Sequence, residues 1–199
     1  MTTATVPEEK LWTSEDLLAM PDDGVERWII RGQLREKQPE IPGATMTVRN
    51  RHHSRVMPYI VATIVNWLRT QTRPRGEVYC GEAGVRLKQT AASTVGVDVV
   101  YAPHDVVEIQ SDDETTLLDG VPTLVVEILS PNDTDEQINE MIDDYLEVGV
   151  AAAWIVELHF RTVNVFRSDV EPVLFNFAQR VSEILEMPGF SPTVAELLE

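Results

Sequence analysis

The stretch TLVVEILS, residues 123–130, constrains this chain more than any other. Its apolar run is too continuous for a strand with one wet face. It predicts a strand buried on both sides, and therefore a sheet with helices packed against it. Glu127 interrupts that run. A lone buried carboxylate is costly unless it is paired or neutralised. The strand thus poses a chemical question along with a structural one: what balances the charge of Glu127?

The neighbouring segments complete the fold class. Downstream, Ile138, Met141, Ile142, Tyr145 and Leu146 recur at helical spacing, capped by Asp133 or Thr134 and ended by Gly149. AAAWIVEL and TVNVFRS then read as a strand hairpin. Upstream, TSEDLLAM reads as a short helix capped by Thr13 or Ser14. ERWIIRGQLREK reads as a hairpin turning near Gly32. Val56, Ile60, Thr63, Ile64, Trp67 and Leu68 mark one face of a longer helix. Pro58 predicts that this helix starts close to it or kinks there. GEVYCGEAGVRLKQ and GVDVVYAP read as strands, with Cys80 expected in the core, and MPGFSPTVAELLE closes as a loop and short helix. The order predicts an α/β (α+β) protein, one domain over residues 1–199 with residues 1–12 as a tail.

Composition excludes several classes. A single cysteine leaves no intrachain disulfide and no cysteine-based zinc site. The N-terminus lacks a basic segment followed by an apolar one, and no apolar run reaches the roughly 20 residues of a membrane span. A cytoplasmic, soluble protein with no membrane partner is the expectation. The net charge is −17, and no Lys or Arg occurs from Gln89 to Phe160. The basic residues concentrate earlier, between Arg27 and Lys88. Such a molecule repels polyanions at long range but can carry a local basic face. No phosphate-binding glycine loop, His-x-x-x-His pair or Gly-x-Ser-x-Gly elbow occurs, and no small-molecule cofactor is implied. His104 and His159 read as surface residues.

A second strand carries an acid in an apolar frame: Asp98 in VGVDVVY. Two carboxylates brought together raise each other's pKa unless a cation lies between them. Mg²⁺ takes oxygen ligands and commonly uses one or two carboxylates plus substrate phosphate. The pair is therefore a candidate metal site for phosphodiester hydrolysis. Strand-borne acids also occur as structural ion pairs or at exposed edges, and spacing alone leaves both open. His52 and His53, near Arg49, Arg51 and Arg55, are candidates for phosphate contact, with helix capping or core packing as the alternative for His53.

In order, TSEDLLAMPDDGVERWIIRGQL, RHHSRV, GVDVVYAP, LVVEILSPNDT and YLEVGVAAAWIVE resemble the Uma-two family over nearly the whole chain. These are endonucleases of the restriction-endonuclease-like, or PD-(D/E)XK, superfamily. The resemblance implies a mixed central sheet flanked by helices and a Mg²⁺ (or Mn²⁺) site at Asp98 and Glu127. His53 falls where the family carries a histidine, which adds it to the candidate catalytic residues. DNA is the implied partner. Three positions depart from the pattern. Val97 replaces the proline before the first acid. Trp28 stands where a glutamate belongs, with Glu26 two positions off. Met141 stands where the family has a lysine that orients water and offsets charge. The chain's lysines are Lys10, Lys37 and Lys88, and Lys88 is the candidate to reach the site from elsewhere. The sequence predicts an impaired metal-dependent nuclease, or an inactive relative with a binding or assembly role. Four tryptophans and open sheet edges predict a homodimer.

Overall fold

In the computed structural model, residues 10–37, 51–87, 93–110, 116–131 and 133–199 are described. Lys88, Arg49 and most of the N-terminal tail lie outside them. The elements are α1 (Ser14–Leu18), β1 (Arg27–Ile30), β2 (Gln33–Glu36), α2 (Arg51–Thr70), β3 (Glu77–Leu87), β4 (Ser93–Ala102), α3 (His104–Glu108), β5 (Leu118–Asp119), β6 (Leu124–Ile128), α4 (Asp135–Val148), β7 (Ala152–Glu157), β8 (Thr162–Arg167), β9 (Val170–Asn176) and α5 (Val194–Leu198). The strands form one mixed sheet in the order β2-β1-β4-β6-β7-β8-β9, with β3 on β4 and β5 on β3. The β6 and β7 strands run parallel, as a crossover through α4 requires.

The doubly buried strand is β6. Val126 and Leu124 face one core, with Val56, Ile60 and Ile64 of α2 and with Trp154, which stacks on Phe190 at 5.8 Å. Val125 faces the other, with Tyr145 of α4, Trp28 and Val100. The α4 helix starts on a capping box, Thr134 with Gln137, and stops at Gly149, whose φ of 99° suits a residue without a side chain.

Two expectations need correction. The α2 helix does not start close to Pro58; it is one helix of 20 residues that begins at Arg51, with Pro58 inside it. Pro58 and Ser54 are both exposed, so water can serve the Ser54 carbonyl that loses its helical donor. Cys80 is exposed, because the first half of β3 has only β4 beside it among the described residues. Trp28, Trp67 and Trp154 are core residues. The His104 and His159 expectations hold: both are at the surface. No described helix is long and apolar enough to cross a membrane.

The charge segregation of the sequence resolves into a ladder inside the molecule. Arg31, Arg35 and Lys37 alternate along the β1–β2 hairpin. They meet acids spaced three to seven residues apart along α4 and the loop before it. Arg31 pairs with Glu147 at 2.5 Å and stands 3.4 Å from the fully buried Asp144. Arg35 grips both oxygens of Glu140 at 2.5 and 2.9 Å. Lys37 reaches Asp133 at 2.6 Å. Paired, bidentate and half-buried, the Arg35 contact exceeds an ordinary surface ion pair. We expect Arg35→Ala to lower stability by about 1 kcal/mol at low salt, and by much less in molar salt. A salt-independent loss in chemical denaturation would show that packing, not charge, fastens the hairpin.

Candidate metal centre and active site

The antiparallel ladder between β4 and β6 runs Tyr101↔Leu124, Val100↔Val125 and Val99↔Val126. The next position in that register sets Asp98 opposite Glu127, so the two acids share a face of the sheet. There the backbone pairing gives way to side chains. The amide of Ile128 donates to Asp98 Oδ2 at 2.8 Å. His53, buried near the start of α2, lies 2.9 Å from the same oxygen through Nε2. Asp98 is 4 % exposed, and its Oδ1 is buried without a hydrogen-bond partner. His53 Nδ1 is likewise buried and unpartnered.

Glu127 is half-buried and accepts a 2.6 Å hydrogen bond from the Tyr145 hydroxyl. Burial and then the Asp98 charge push its pKa up to about 8, against the lowering effect of Tyr145. Burial and the Glu127 charge hold the Tyr145 phenol well above its usual range, so it stays a donor.

A β-bulge lies across β4 from this point. Cys80 pairs with Val99 and Ala83 with Val97, so Gly81 and Glu82 together oppose Asp98. Both take positive φ, 84° and 61°, and for Glu82 that is a strained conformation. The bulge lays the Glu82 carboxylate over Gly96. A Cβ at Gly96 would stand 2.8 Å from Glu82 Oε2. Beside it opens a cleft of about 60 Å³ lined by Trp28, Lys37, Glu82, Gly96, Asp133 and Met141, among others. Met141 is partly buried here, one turn before Tyr145 on α4, and packs against the same core as Trp28 and Tyr145. A second cleft, at the start of α2, is lined by His52, Arg55, Arg161 and Glu199.

The structure therefore brings together Asp98, Glu127 and His53, with Met141 and Trp28 close by. It leaves Lys88 outside the described residues. Sequence reasoning missed Tyr145 as a partner of Glu127, and it passed over Lys37 because of its distance along the chain. The signal for Lys37 was available in the alternation of Arg31, Arg35 and Lys37 opposite the acids of α4.

The donor set suits a hard cation with a sparse protein shell. Two carboxylates, one with a buried free oxygen, match the one or two that Mg²⁺ commonly takes. Among the described residues no three or more His, Cys, Asp or Glu side chains come together as a cage.

A mixed sheet flanked by helices, with two acids facing each other on adjacent strands, is the framework of a nuclease-like fold. The chain belongs to the Uma2 family, described as "Putative restriction endonuclease", whose pattern matches residues 15–195. A solved structure from Anabaena variabilis, titled "a putative nuclease belonging to DUF820", is similar with a TM-score of 0.73. It is 17% identical, and the match covers 94% of this chain and 97% of that one. No curated protein matches this chain.

Proposed function

We propose that this protein is a divalent-cation-dependent nuclease that hydrolyses DNA phosphodiesters slowly. The observation that carries this reading is the free, buried Oδ1 of Asp98 beside the half-buried Glu127. Asp98 and Glu127 would hold Mg²⁺ or Mn²⁺, which supplies Lewis-acid activation of water and charge stabilisation at the phosphate. The chain's own residues do the rest. His53 and the Ile128 amide hold Asp98 Oδ2, which leaves Oδ1 to face the ion. His53 is thus a positioning residue in this reading. Tyr145 orients Glu127. Met141 offers neither charge nor donor at its place in the cleft, which lowers the rate.

A second reading is favoured by the apolar pair lining that cleft, Trp28 and Met141: a nuclease fold kept for binding alone. Plasmid nicking in Mg²⁺ and in Mn²⁺, with Glu127→Ala alongside, separates the two. The nuclease reading expects slow nicking that Glu127→Ala abolishes. It also expects divalent cation to raise the melting temperature, since a ligand at 100-fold its Kd stabilises by about 2.7 kcal/mol. Neither nicking nor a thermal shift at millimolar metal leaves the binding-only reading.

A further inference from the structure

We propose that Lys37 is the phosphate-binding cation of this site, delivered from the end of the β1–β2 hairpin into the cleft beside Asp98 and Glu127. The inference rests on the nuclease reading above and deepens it by assigning a substrate-contacting residue.

The placement is the first support. Lys37 lines the cleft together with Gly96, two residues before Asp98 on β4, and with Met141, one turn before Tyr145 on α4. Its ammonium sits 2.6 Å from Asp133 Oδ1 and 3.6 Å from Glu26 Oε2. Asp133 in turn is close enough for its charge to act on Glu127. Lys37 is therefore one carboxylate away from the acid pair, although nearly 100 residues separate it along the chain from Asp133.

The second support is coordination. An ammonium has three donors, and Lys37 has two carboxylate contacts, so it can still donate to a ligand. Its side chain is 18% exposed, which leaves it reachable from the cleft. The other cation of the cleft, Arg27, keeps two of its five N–H donors, but all three of its nitrogens are already tied to Asp23 and Glu36. The cleft also carries Glu26, Glu82 and Asp133, so a polyanion entering it needs a compensating charge. Lys37 is the cleft cation best placed to give one.

The competing explanation is that Lys37 serves only as a latch. Asp133 closes the turn after β6, with the Ser130 amide on its Oδ2 at 2.6 Å, and Lys37 ties the hairpin to that turn. The two roles predict opposite results for the partner's removal. A latch makes Lys37→Met and Asp133→Asn equivalent. A phosphate-binding lysine does not, because Asp133→Asn removes a repelling charge and releases the ammonium.

The test is binding of a short fluorescein-labelled DNA duplex in Ca²⁺, read by anisotropy, alongside melting temperature and Mg²⁺-dependent nicking. We expect Lys37→Met to weaken duplex binding about tenfold, as loss of one phosphate contact does. Lys37→Arg should retain most of it. Asp133→Asn should bind as well as the unmodified protein or better, despite a lower melting temperature. In nicking, Lys37→Met should lose activity, and adding Met141→Lys should restore part of it. Equal weakening by Lys37→Met and Asp133→Asn would overturn the proposal in favour of a latch. Unchanged binding by Lys37→Met would overturn it while leaving the nuclease reading intact, provided that Glu127→Ala still abolishes nicking. Loss of duplex binding with no nicking by any variant would sustain Lys37 and sink the nuclease reading instead.

Discussion

Glu127→Gln should make the metal-free protein more stable at alkaline pH, by roughly 2–4 kcal/mol. Glu127 rises from 4.5 to about 8 on folding because of burial and then the Asp98 charge. Between those values the folded chain holds a proton that the unfolded chain has lost. This contribution to stability is therefore full below pH 4.5 and is lost as pH rises through about 8. The full rise corresponds to at most about 5 kcal/mol, and the partial exposure of Glu127 reduces it. Glutamine keeps the Tyr145 hydrogen bond and cannot ionise. Denaturation in EDTA at a series of pH values should show the unmodified protein weakening towards alkaline pH and the variant staying level. Adding Mg²⁺ should reverse the ranking, since only the carboxylate gains from the cation. A flat profile for both proteins would mean that Glu127 is neither desolvated on folding nor faced by the Asp98 charge.

Met141→Lys should raise Mg²⁺-dependent nicking by on the order of a hundredfold, the scale of one well-placed polar group at a developing charge. Position 141 opens on the cleft with Asp133, Glu82 and Lys37. A lysine stem can follow the path of methionine along Trp28 and present its charge beyond. The acids around the cleft exceed the cations in number, so the new charge is compensated. The melting temperature should move by a few degrees at most, about 1 kcal/mol for a domain of this size. A variant that melts much earlier and nicks no faster would place the new amine in the apolar core instead, unpaired and costly.

Much of this site was legible because its elements obey local rules. The β6 strand announces itself by an apolar run that only a doubly covered strand tolerates. The α4 helix announces itself by spacing, a capping box and a terminal glycine. An acid in each of two apolar strands then forces the question of pairing. Other features depend on the far side of the molecule. Nothing local in GEAG reveals that Gly81 and Glu82 bulge opposite Asp98, since the shift exists only in pairing with β4. The β9 strand, VEPVLFN, carries a proline and an acid and reads poorly as a strand. It is tolerated as the outer strand beyond β8. The start of α2 was set too close to Pro58 because proline's cost depends on whether water reaches the orphaned carbonyl. Asp144 looks like a solvent residue between Asp143 and Tyr145, and its burial is offset by Ser93 and Arg31, both distant along the chain.

The hairpin ladder bears on how DNA affinity should be measured in this protein. The slope of log affinity against log salt is commonly converted to a number of phosphate contacts. Here one wall of the cleft is itself fastened by Arg31, Arg35 and Lys37 against acids of the same chain. Raising salt would loosen the receptor while it screens the ligand. The apparent count of phosphates would then exceed the true one, and the excess would disappear in a protein whose hairpin is tied to α4 by uncharged contacts.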